Sequence, residues 1–547
     1  MKKVSLNQER SPAEPLFRIG FMTDTHIKNT EESCAKVKAA FEFFLSKQPD
    51  LIVHLGDLAD KHSPDGYRIY RRLFHEIFQE KRPEEISLYA DHDAVGCPDR
   101  ETFYHEFQRL LNIPHAPYDN LVIHGYPFLI FPQAVEEDFS RMERIIRQAI
   151  KDHPGKPVFV LHHCPMFNTV DHSLAGLCLE GRSVLDKYPQ VIHFSGHTHS
   201  SLRNENCIHQ DTFTSVNAGC LSSWQQNQAG ENLLPKECDE VMIMEVFPEK
   251  LILRRFSVSD GIEINANAPW RIPLPFNRET APYRPENRNF PIPEFPGDAK
   301  IVIEKNGSPF HSILFTFPDA EECYLYRAEL EKLERGKWKF VAEKEDYGNF
   351  YLKEKRKFTH FEFNSGFFEE NNRYRLKVTP FHFCGGAGAA IQVDFIAESP
   401  LRGPLVFSTD HPEKDCRYLA KKGNVIALPD GWFQISEWNS HGMLQFPEKI
   451  WKQIPDGVKL RMTVELEQEQ PQFPRKRFFV GRSDFKKAFS TSIFLREGKT
   501  PRQRIVFEFQ KESEEPYTLL VSHGIEPGPI KFHYAAIEIL PEEENLK

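Results

Sequence analysis

Five short blocks in the first 200 residues carry side chains that bind metal ions. They are Asp24-Thr25-His26, Gly56-Asp57-Leu58-Ala59-Asp60, Ala90-Asp91-His92-Asp93, His162-His163-Cys164-Pro165 and Gly196-His197-Thr198-His199. Each directly follows an apolar run: FRIGFM, LIVHL, ISLY, VFVL and VIHFS. A lone Asp or His after such a run is most often a turn or capping residue, but five in order are a different matter. In an open α/β sheet the carboxyl ends of strands line the ligand crevice. Strand ends far apart in sequence can therefore deliver carboxylates and imidazoles into one pocket.

The donor types narrow the chemistry. Mixed carboxylate and imidazole ligands suit Zn²⁺, Mn²⁺ or Fe, whereas calcium takes oxygen alone and a structural zinc favours thiolates. Cys164 is the one thiol near these blocks, which argues against a thiolate-rich site. About seven donors are too many for one ion. They match two ions roughly 3.5–4 Å apart with a shared carboxylate, the arrangement that clamps attacking and leaving oxygens in phosphoryl transfer.

D-x-H, G-D-x-x-D, a G-N-H-D-like block, H-x-P and G-H-x-H, in this order, resemble the pattern of the calcineurin-like metallophosphoesterases. The resemblance spans roughly residues 15–260 and implies a layered α/β/β/α sandwich with two divalent metal ions, Mn, Fe or Zn. It implies that Asp24, His26 and His199 hold one metal, that Asp91, His163 and His197 hold the second, and that Asp57 bridges them. His92 would steady the attacking hydroxide or protonate the leaving oxygen, and Asp60 would orient a ligand imidazole from behind. His163 fits the H-x-P register better than His162, while His54 and His193 lie inside strands and read as structural. The implied activity is hydrolysis of a small phosphoester by in-line attack of a metal-bridging hydroxide, without a phosphoenzyme. The segment Gly96–Pro117, with Tyr104 and Phe107, stands where family members build part of the substrate rim.

The third block departs from the pattern, with Ala90-Asp91-His92 in place of Gly-Asn-His. Asp24, Asp57 and Asp91 together with a hydroxide balance two divalent ions, where an Asn would leave the site about +1. A less positive site holds its metals more tightly and attracts an anionic phosphate less. That favours phosphodiesters over doubly charged monoesters. Asp60, and not Tyr, closes the second block, which argues against the purple acid phosphatase branch.

The elements that must position these blocks alternate between strand-like and helix-like runs over residues 15–268, as an α/β layered domain requires. Helical spacing marks 31–46, 66–80 and 136–151. After residue 213 strands follow one another without helices. Eight prolines between residues 269 and 297 read as a semi-rigid connector. Beyond it, HSILFTF, CYLYRAEL, KWKFVAE, YRLKVTP and AIQVDFIAE alternate as strands of an all-β sandwich over 298–400. Its Tyr374-x-x-x-Val378-x-Pro380 resembles the late strand of fibronectin type III domains, where a tyrosine corner sits. The glycine-rich Cys384–Gly388 lies between β-like runs and reads as a hairpin turn, not a phosphate loop. A last all-β block over 401–541 reads as a jelly-roll-like sandwich.

The whole chain has 547 residues, enough for about three to four domains, and 46 phenylalanines to fill their cores. Lys+Arg of 69 against Asp+Glu of 79 gives a net charge of −10, which argues against general nucleic-acid or anionic-membrane binding. No run approaches the roughly 18 apolar residues of a membrane span. The N-terminus lacks the apolar stretch of a secretory signal, so the cytoplasm is the default location. Ten scattered cysteines read as reduced thiols. Other classes of function stay open: a catalytically weakened phosphoesterase-fold protein acting by glycan or protein binding through its β-sandwich modules, or an enzyme tethered to a glycan. Trp432, Trp438 and Trp451 motivate the glycan readings, although core packing is the ordinary use of such residues.

Overall fold

In the computed structural model, the described residues are 14–541 except 29, 97–98, 132, 134–136, 174–177, 223–238, 352–354, 421–422, 436–440, 469–474, 482–487, 495–501, 513–517 and 523–528. They divide into two units that meet in sequence at Asn289 and Phe290.

The first unit holds strands β1 (Phe17–Met22), β2 (Leu51–His54), β3 (Glu84–Ser87), β4 (Asn120–Ile123), β5 (Tyr126–Ile130), β6 (Val158–Leu161), β7 (Val191–Ser195), β8 (Ile208–Gln210), β9 (Thr214–Asn217), β10 (Glu240–Val246), β11 (Lys250–Ser257), β12 (Ile262–Ile264) and β13 (Trp270–Pro273). Its helices are α1 (Glu31–Lys47), α2 (Pro64–Phe78), α3 (Arg100–Leu111), α4 (Phe139–Asp152) and α5 (Leu179–Leu185). One sheet runs β12-β11-β10-β1-β2-β3, with β13 beside β11, and the other runs β4-β5-β6-β7-β9-β8. Within them β1-β2-β3 and β5-β6-β7-β9 are parallel, so their carboxyl ends point the same way in each sheet.

Period-two alternation decides how the sheets pack. Phe17, Ile19 and Phe21 of β1, with Leu51 and Val53 of β2, face Phe128, Phe159 and Phe194 of the other sheet. The rings of Phe21 and Phe194 stack at 4.3 Å. On the outer face of the first sheet, Tyr67, Tyr70, Phe74 and Phe78 of α2 present one helical stripe against Ile52 and Ile243. Met142, Ile146 and Ala149 of α4 cover Val158 and Val160 of the second sheet in the same way. The order of layers is therefore α/β/β/α. Side-chain oxygens of Thr30, Ser63, Asp99 and Asp138 accept the first free N–H groups of α1 to α4, so each helix starts where its cap stands.

Two local expectations change. The proline-rich stretch 269–297 is not a connector throughout, because Trp270–Pro273 pairs antiparallel with β11. Trp270 and Ile272, two apart, both enter the core between the sheets, and an edge strand tolerates Pro273. Tyr104 and Phe107 do not form a substrate rim. They lie on α3 at helical spacing with Leu111 and are buried against the α1–α2 layer.

The second unit begins with seven antiparallel strands, β14 (Val302–Gly307), β15 (Phe310–Pro318), β16 (Leu325–Glu334), β17 (Lys337–Tyr347), β18 (Phe358–Asn364), β19 (Asn372–Phe381) and β20 (Ile391–Ala397). They form a β14-β15-β18 sheet and a β17-β16-β19-β20 sheet around one core. Tyr374 is fully buried and its hydroxyl accepts the Glu369 N–H at 2.7 Å, the contact of a tyrosine corner. Gly385 N–H donates to His382 O, which closes the glycine-rich turn between β19 and β20. A six-stranded and a five-stranded sheet make up the rest, around a core that includes Trp451. Trp451 is thus packing material, and Trp438 lies outside the described residues. Arg461, 1% exposed, bonds to Glu508, Ser365 and the Leu401 carbonyl and so ties the two β-sandwich modules together. Among the described residues no helix is long and apolar enough to cross a membrane.

Candidate metal centre

All five blocks lie at the carboxyl ends of parallel strands. Asp24 and His26 follow β1, Asp57 follows β2, Asp91 follows β3, His163 follows β6, and His197 and His199 follow β7. Asp24, His26, Asp57, His197 and His199 all have positive φ, between 41° and 70°. For residues other than glycine this left-handed conformation costs roughly 1–2 kcal/mol each. Five instances at one place are strain held by the surrounding fold, which is where functional sites store it.

Two glycines allow the loops to close. A Cβ on Gly56 would stand 2.6 Å from Ala90 Cβ and 2.7 Å from His163 Nδ1, and its φ is +111°. A Cβ on Gly196 would stand 2.0 Å from Thr23 Oγ1 and 2.5 Å from Asp24 Oδ2.

The side chains gather into two groups that share Asp57, Asp24-His26-Asp57-His199 and Asp57-Asp91-His163-His197, and a third, His26-Asp60-His92, that shares His26 with the first, with the donor atoms of each group within 4.8 Å of one another. In the first, His199 Nε2 lies 3.1 Å from Asp24 Oδ1 and 3.1 Å from His26 Nε2. In the second, Asp91 Oδ1 lies 3.4 Å from His163 Nε2 and 3.5 Å from His197 Nδ1. Asp57 belongs to both: its Oδ2 is 3.7 Å from His26 Nε2 and 3.2 Å from His163 Nε2.

A third set of contacts holds the donors. His163 Nδ1 donates to the Leu55 carbonyl at 2.8 Å, which fixes the tautomer and turns Nε2 into the site. Asp24 accepts the His197 N–H and the Thr23 hydroxyl. His92 N–H donates to Asp57 Oδ1 at 3.0 Å, and its ring Nδ1 lies 3.0 Å from the Asp60 carbonyl. The Asp60 carboxylate stands 3.7 Å from His26 Nδ1, beyond hydrogen-bond distance, so it is the Asp60 main chain that makes the orienting bond, and to His92.

The electrostatics follow from three carboxylates in one buried space. Burial disfavours the charged ring of His163, but Asp57 and Asp24 outweigh it and push its pKa up to about 10. Burial likewise opposes charge on His199, yet Cys220 and Asp24 raise it well above its usual value. Burial would raise the Asp24 carboxyl, and the positive imidazoles of His199 and His163 hold it well below the usual range instead. Burial works against the charged ring of His92 too, and the Asp60 carbonyl and Asp57 and Asp91 carboxylates reverse it to a raised pKa. The site draws positive charge.

It also contains polar atoms that no protein group satisfies. His163 Nε2 and Asp91 Oδ1 are buried without a hydrogen-bond partner. Buried donors and acceptors are seldom left so unless an ion or water completes them. The nitrogen and carboxylate donors, the shared Asp57 and these orphaned atoms fit two divalent cations.

Sequence reasoning missed two residues here. Asp93 is buried and accepts the N–H groups of Leu58, Ala59 and Ala90, so it ties the second block to the third. Burial and the Asp57 charge push its carboxyl up to about 7. Cys220 is buried with its Sγ 3.8 Å from the Asp24 carbonyl, so Cys164 is not the one thiol near the site. His162 turns away to Glu137, 3.2 Å, and is in none of the groups. His54 and His193 bond to Thr25 and Ser215 inside the fold, as strand residues do.

Residues 17–201 match the family model of the calcineurin-like phosphoesterases. No curated protein matches the sequence. Among solved structures the chain is similar to a dimetal phosphatase from Danio rerio, with 10% identity over 46% of this chain and 99% of that chain and a TM-score of 0.30. It is also similar to the CBM22-1 xylan-binding domain of Paenibacillus barcinonensis Xyn10C, with 11% identity over 26% of this chain and 98% of that chain and a TM-score of 0.19. A carbohydrate-binding module of Cellvibrio mixtus lichenase 5A matches with 7% identity over 25% of this chain and all of that chain, TM-score 0.18. Residues 17–201 form a calcineurin-like phosphoesterase domain, followed in the same chain by β-sandwich modules.

Proposed function

We propose that the protein is a two-metal hydrolase of phosphoric esters that prefers phosphodiesters. The observation that carries this reading is the Asp57 carboxylate, which belongs to both donor groups, with the orphaned His163 Nε2 and Asp91 Oδ1 beside it. Asp24, His26 and His199 would hold one cation, Asp91, His163 and His197 the other, and Asp57 both. When bound, such a pair supplies Lewis-acid stabilisation of the phosphoryl oxygens and a water acidic enough to attack phosphorus in line. Mn²⁺, Fe and Zn²⁺ all accept these nitrogen and oxygen donors.

The chain's own residues do the rest. The Asp60 carbonyl holds Nδ1 of His92, leaving Nε2 as its free face. The Asp60 carbonyl and the Asp57 and Asp91 carboxylates raise the pKa of the ring, the direction that a proton donor to a departing alkoxide needs. The main-chain N–H of His92 donates to Asp57 Oδ1 and fixes the residue beside the shared carboxylate. Asp91 in place of an amide brings a third negative charge, so the loaded site is about neutral and a singly charged diester loses less than a doubly charged monoester.

The test is hydrolysis of bis(p-nitrophenyl) phosphate beside p-nitrophenyl phosphate by metal-stripped protein supplied with Mn²⁺. Metal-dependent turnover with the diester faster is expected. Two tightly bound metals without turnover of either ester would remove the hydrolase reading.

A further inference from the structure

Strand β9 runs parallel to β7 in the register Ser195↔Asn217, so Asn217 stands beside the point where the fifth block leaves its sheet. It lies beyond residue 201, where the family match ends, and it is fully buried. Its side-chain Nδ2 donates to the Gly196 carbonyl at 2.6 Å and to Thr198 Oγ1 at 3.1 Å, and its Oδ1 accepts the Gly219 N–H at 3.0 Å. Those bonds use both amide protons and the amide oxygen.

The fifth block alternates. His197 Nδ1 and His199 Nε2 lie 3.5 and 3.1 Å from the carboxylates of Asp91 and Asp24. Thr198 and Ser200, both buried, instead bond to Asn217 and Asp171, neither of which belongs to a donor group. Ser200 Oγ donates to Asp171 Oδ2 at 2.8 Å and lies 3.0 Å from Thr198 Oγ1. A hydroxyl has one proton, and that of Ser200 goes to the carboxylate, so Thr198 donates to Ser200. The chain runs one way, from the Asn217 amide through Thr198 and Ser200 to Asp171. Asp171 is anchored in turn by its N–H on the Asn206 carbonyl at 2.9 Å.

We propose that Asn217 is a positioning residue for the metal centre, which acts through Thr198, Ser200 and Asp171 to hold the loop Gly196–Ser200 with both imidazoles in the site. This rests on the two-metal reading above. The two groups that share Asp57 each take one imidazole from this loop, His199 in one and His197 in the other. Loosening the loop therefore weakens both cations together, although no ligand is changed. The direction of the bonds matters as much as the shape. Aspartate has the size of asparagine, but at residue 217 it would set a carboxylate oxygen against the Gly196 carbonyl, acceptor against acceptor.

The experiment titrates Co²⁺ by calorimetry into the metal-stripped full chain, as wild type, Asn217→Asp, Thr198→Val and Thr198→Ser. Thermal unfolding of each metal-free protein controls for folding. The wild type is expected to bind two cobalt ions. Asn217→Asp and Thr198→Val, each close in shape to the residue it replaces, are expected to lose about 10–100-fold at both sites, the scale of lost outer-shell partners. Thr198→Ser keeps the hydroxyl and with it most of the affinity, a rescue that a packing role alone would not give. Unchanged affinities in Asn217→Asp, or a loss confined to one site, would overturn the inference. If Asn217→Asp does not fold, the Thr198 pair decides, and equal affinities in Thr198→Val and Thr198→Ser would overturn it. A wild type that binds no cobalt would instead refute the two-metal reading, and this inference with it.

Discussion

Nε2 of His163, at the end of β6 in one sheet, lies 3.2 Å from Oδ2 of Asp57, at the end of β2 in the other. The pair closes the gap between the two sheets at their carboxyl ends. His163 is held there from behind by the carbonyl of Leu55, two residues before Asp57, so the same short segment sets both the acid and the base. One carboxylate thereby serves donors from both sheets.

Removing that shared charge should cost both metals at once. Asp57→Asn keeps the shape and tolerates the left-handed backbone. We expect a loss of more than about 100-fold in metal affinity, beyond the range of outer-shell changes. Metal-to-protein stoichiometry after dialysis, measured by plasma mass spectrometry, checks it. Retention of one tightly held ion would contradict the shared role.

Metal binding should release protons. A ligand imidazole binds only when neutral. With its pKa pushed up to about 10, His163 holds a proton at pH 7 in the metal-free protein, and the His199 ring is shifted in the same direction. Loading expels such protons, so affinity falls as pH falls, by roughly tenfold per unit for each proton displaced. Calorimetry in buffers of different ionisation heat measures the number released, and zero would refute the argument. Without metal the raised pKa of His163 stabilises the fold fully below the ordinary 6.5 and fades as pH climbs through about 10.

Asp91→Asn isolates the charge argument. The loaded site gains about one positive charge, so hydrolysis of p-nitrophenyl phosphate should rise relative to the diester, by severalfold or more, while metal affinity falls. An unchanged ratio with unchanged metal content would show that Asp91 does not set the preference.

His92→Gln should leave both metals bound, since His92 groups only with His26 and Asp60 and with none of the other proposed ligands. Loss of the proton donor is expected to lower kcat by about 10²–10⁴. The deficit should shrink for esters with acidic leaving groups, which need no proton. Equal deficits across a leaving-group series would argue for a positioning role only.

Gly196→Ala places a methyl 2.0 Å from Thr23 Oγ1 and 2.5 Å from Asp24 Oδ2, so Asp24 must move. The expected cost is about 1–3 kcal/mol of stability, typical of overpacking. Weaker metal binding should accompany it, although no ligand has been changed. Thermal unfolding and cobalt titration of the same variant read the two effects separately.

Much of the α/β unit was legible because each ligand block directly follows an apolar run of strand length, and helical spacing between them is strong. The α3 helix was legible too, since Tyr104, Phe107 and Leu111 recur at its period, but position in the motif order drew attention to a rim instead. Asp93 stands inside the third block and went unassigned, because three N–H groups from two loops converge on it only after folding. Trp270–Pro273 was hidden by the prolines around it, since an edge strand needs few amide donors.

The sequence by itself determined which donor types exist, their order, and that each sits at the end of a strand. Those are properties of residue identity and local periodicity. Tertiary structure alone decided which ring nitrogen of His163 and of His199 faces inward, and that Asp93 ties the second block to the third. These depend on distances between loops far apart in sequence, such as those of Asp24 and His199, and on left-handed backbone that five non-glycine residues adopt only because the packed sheets hold them there.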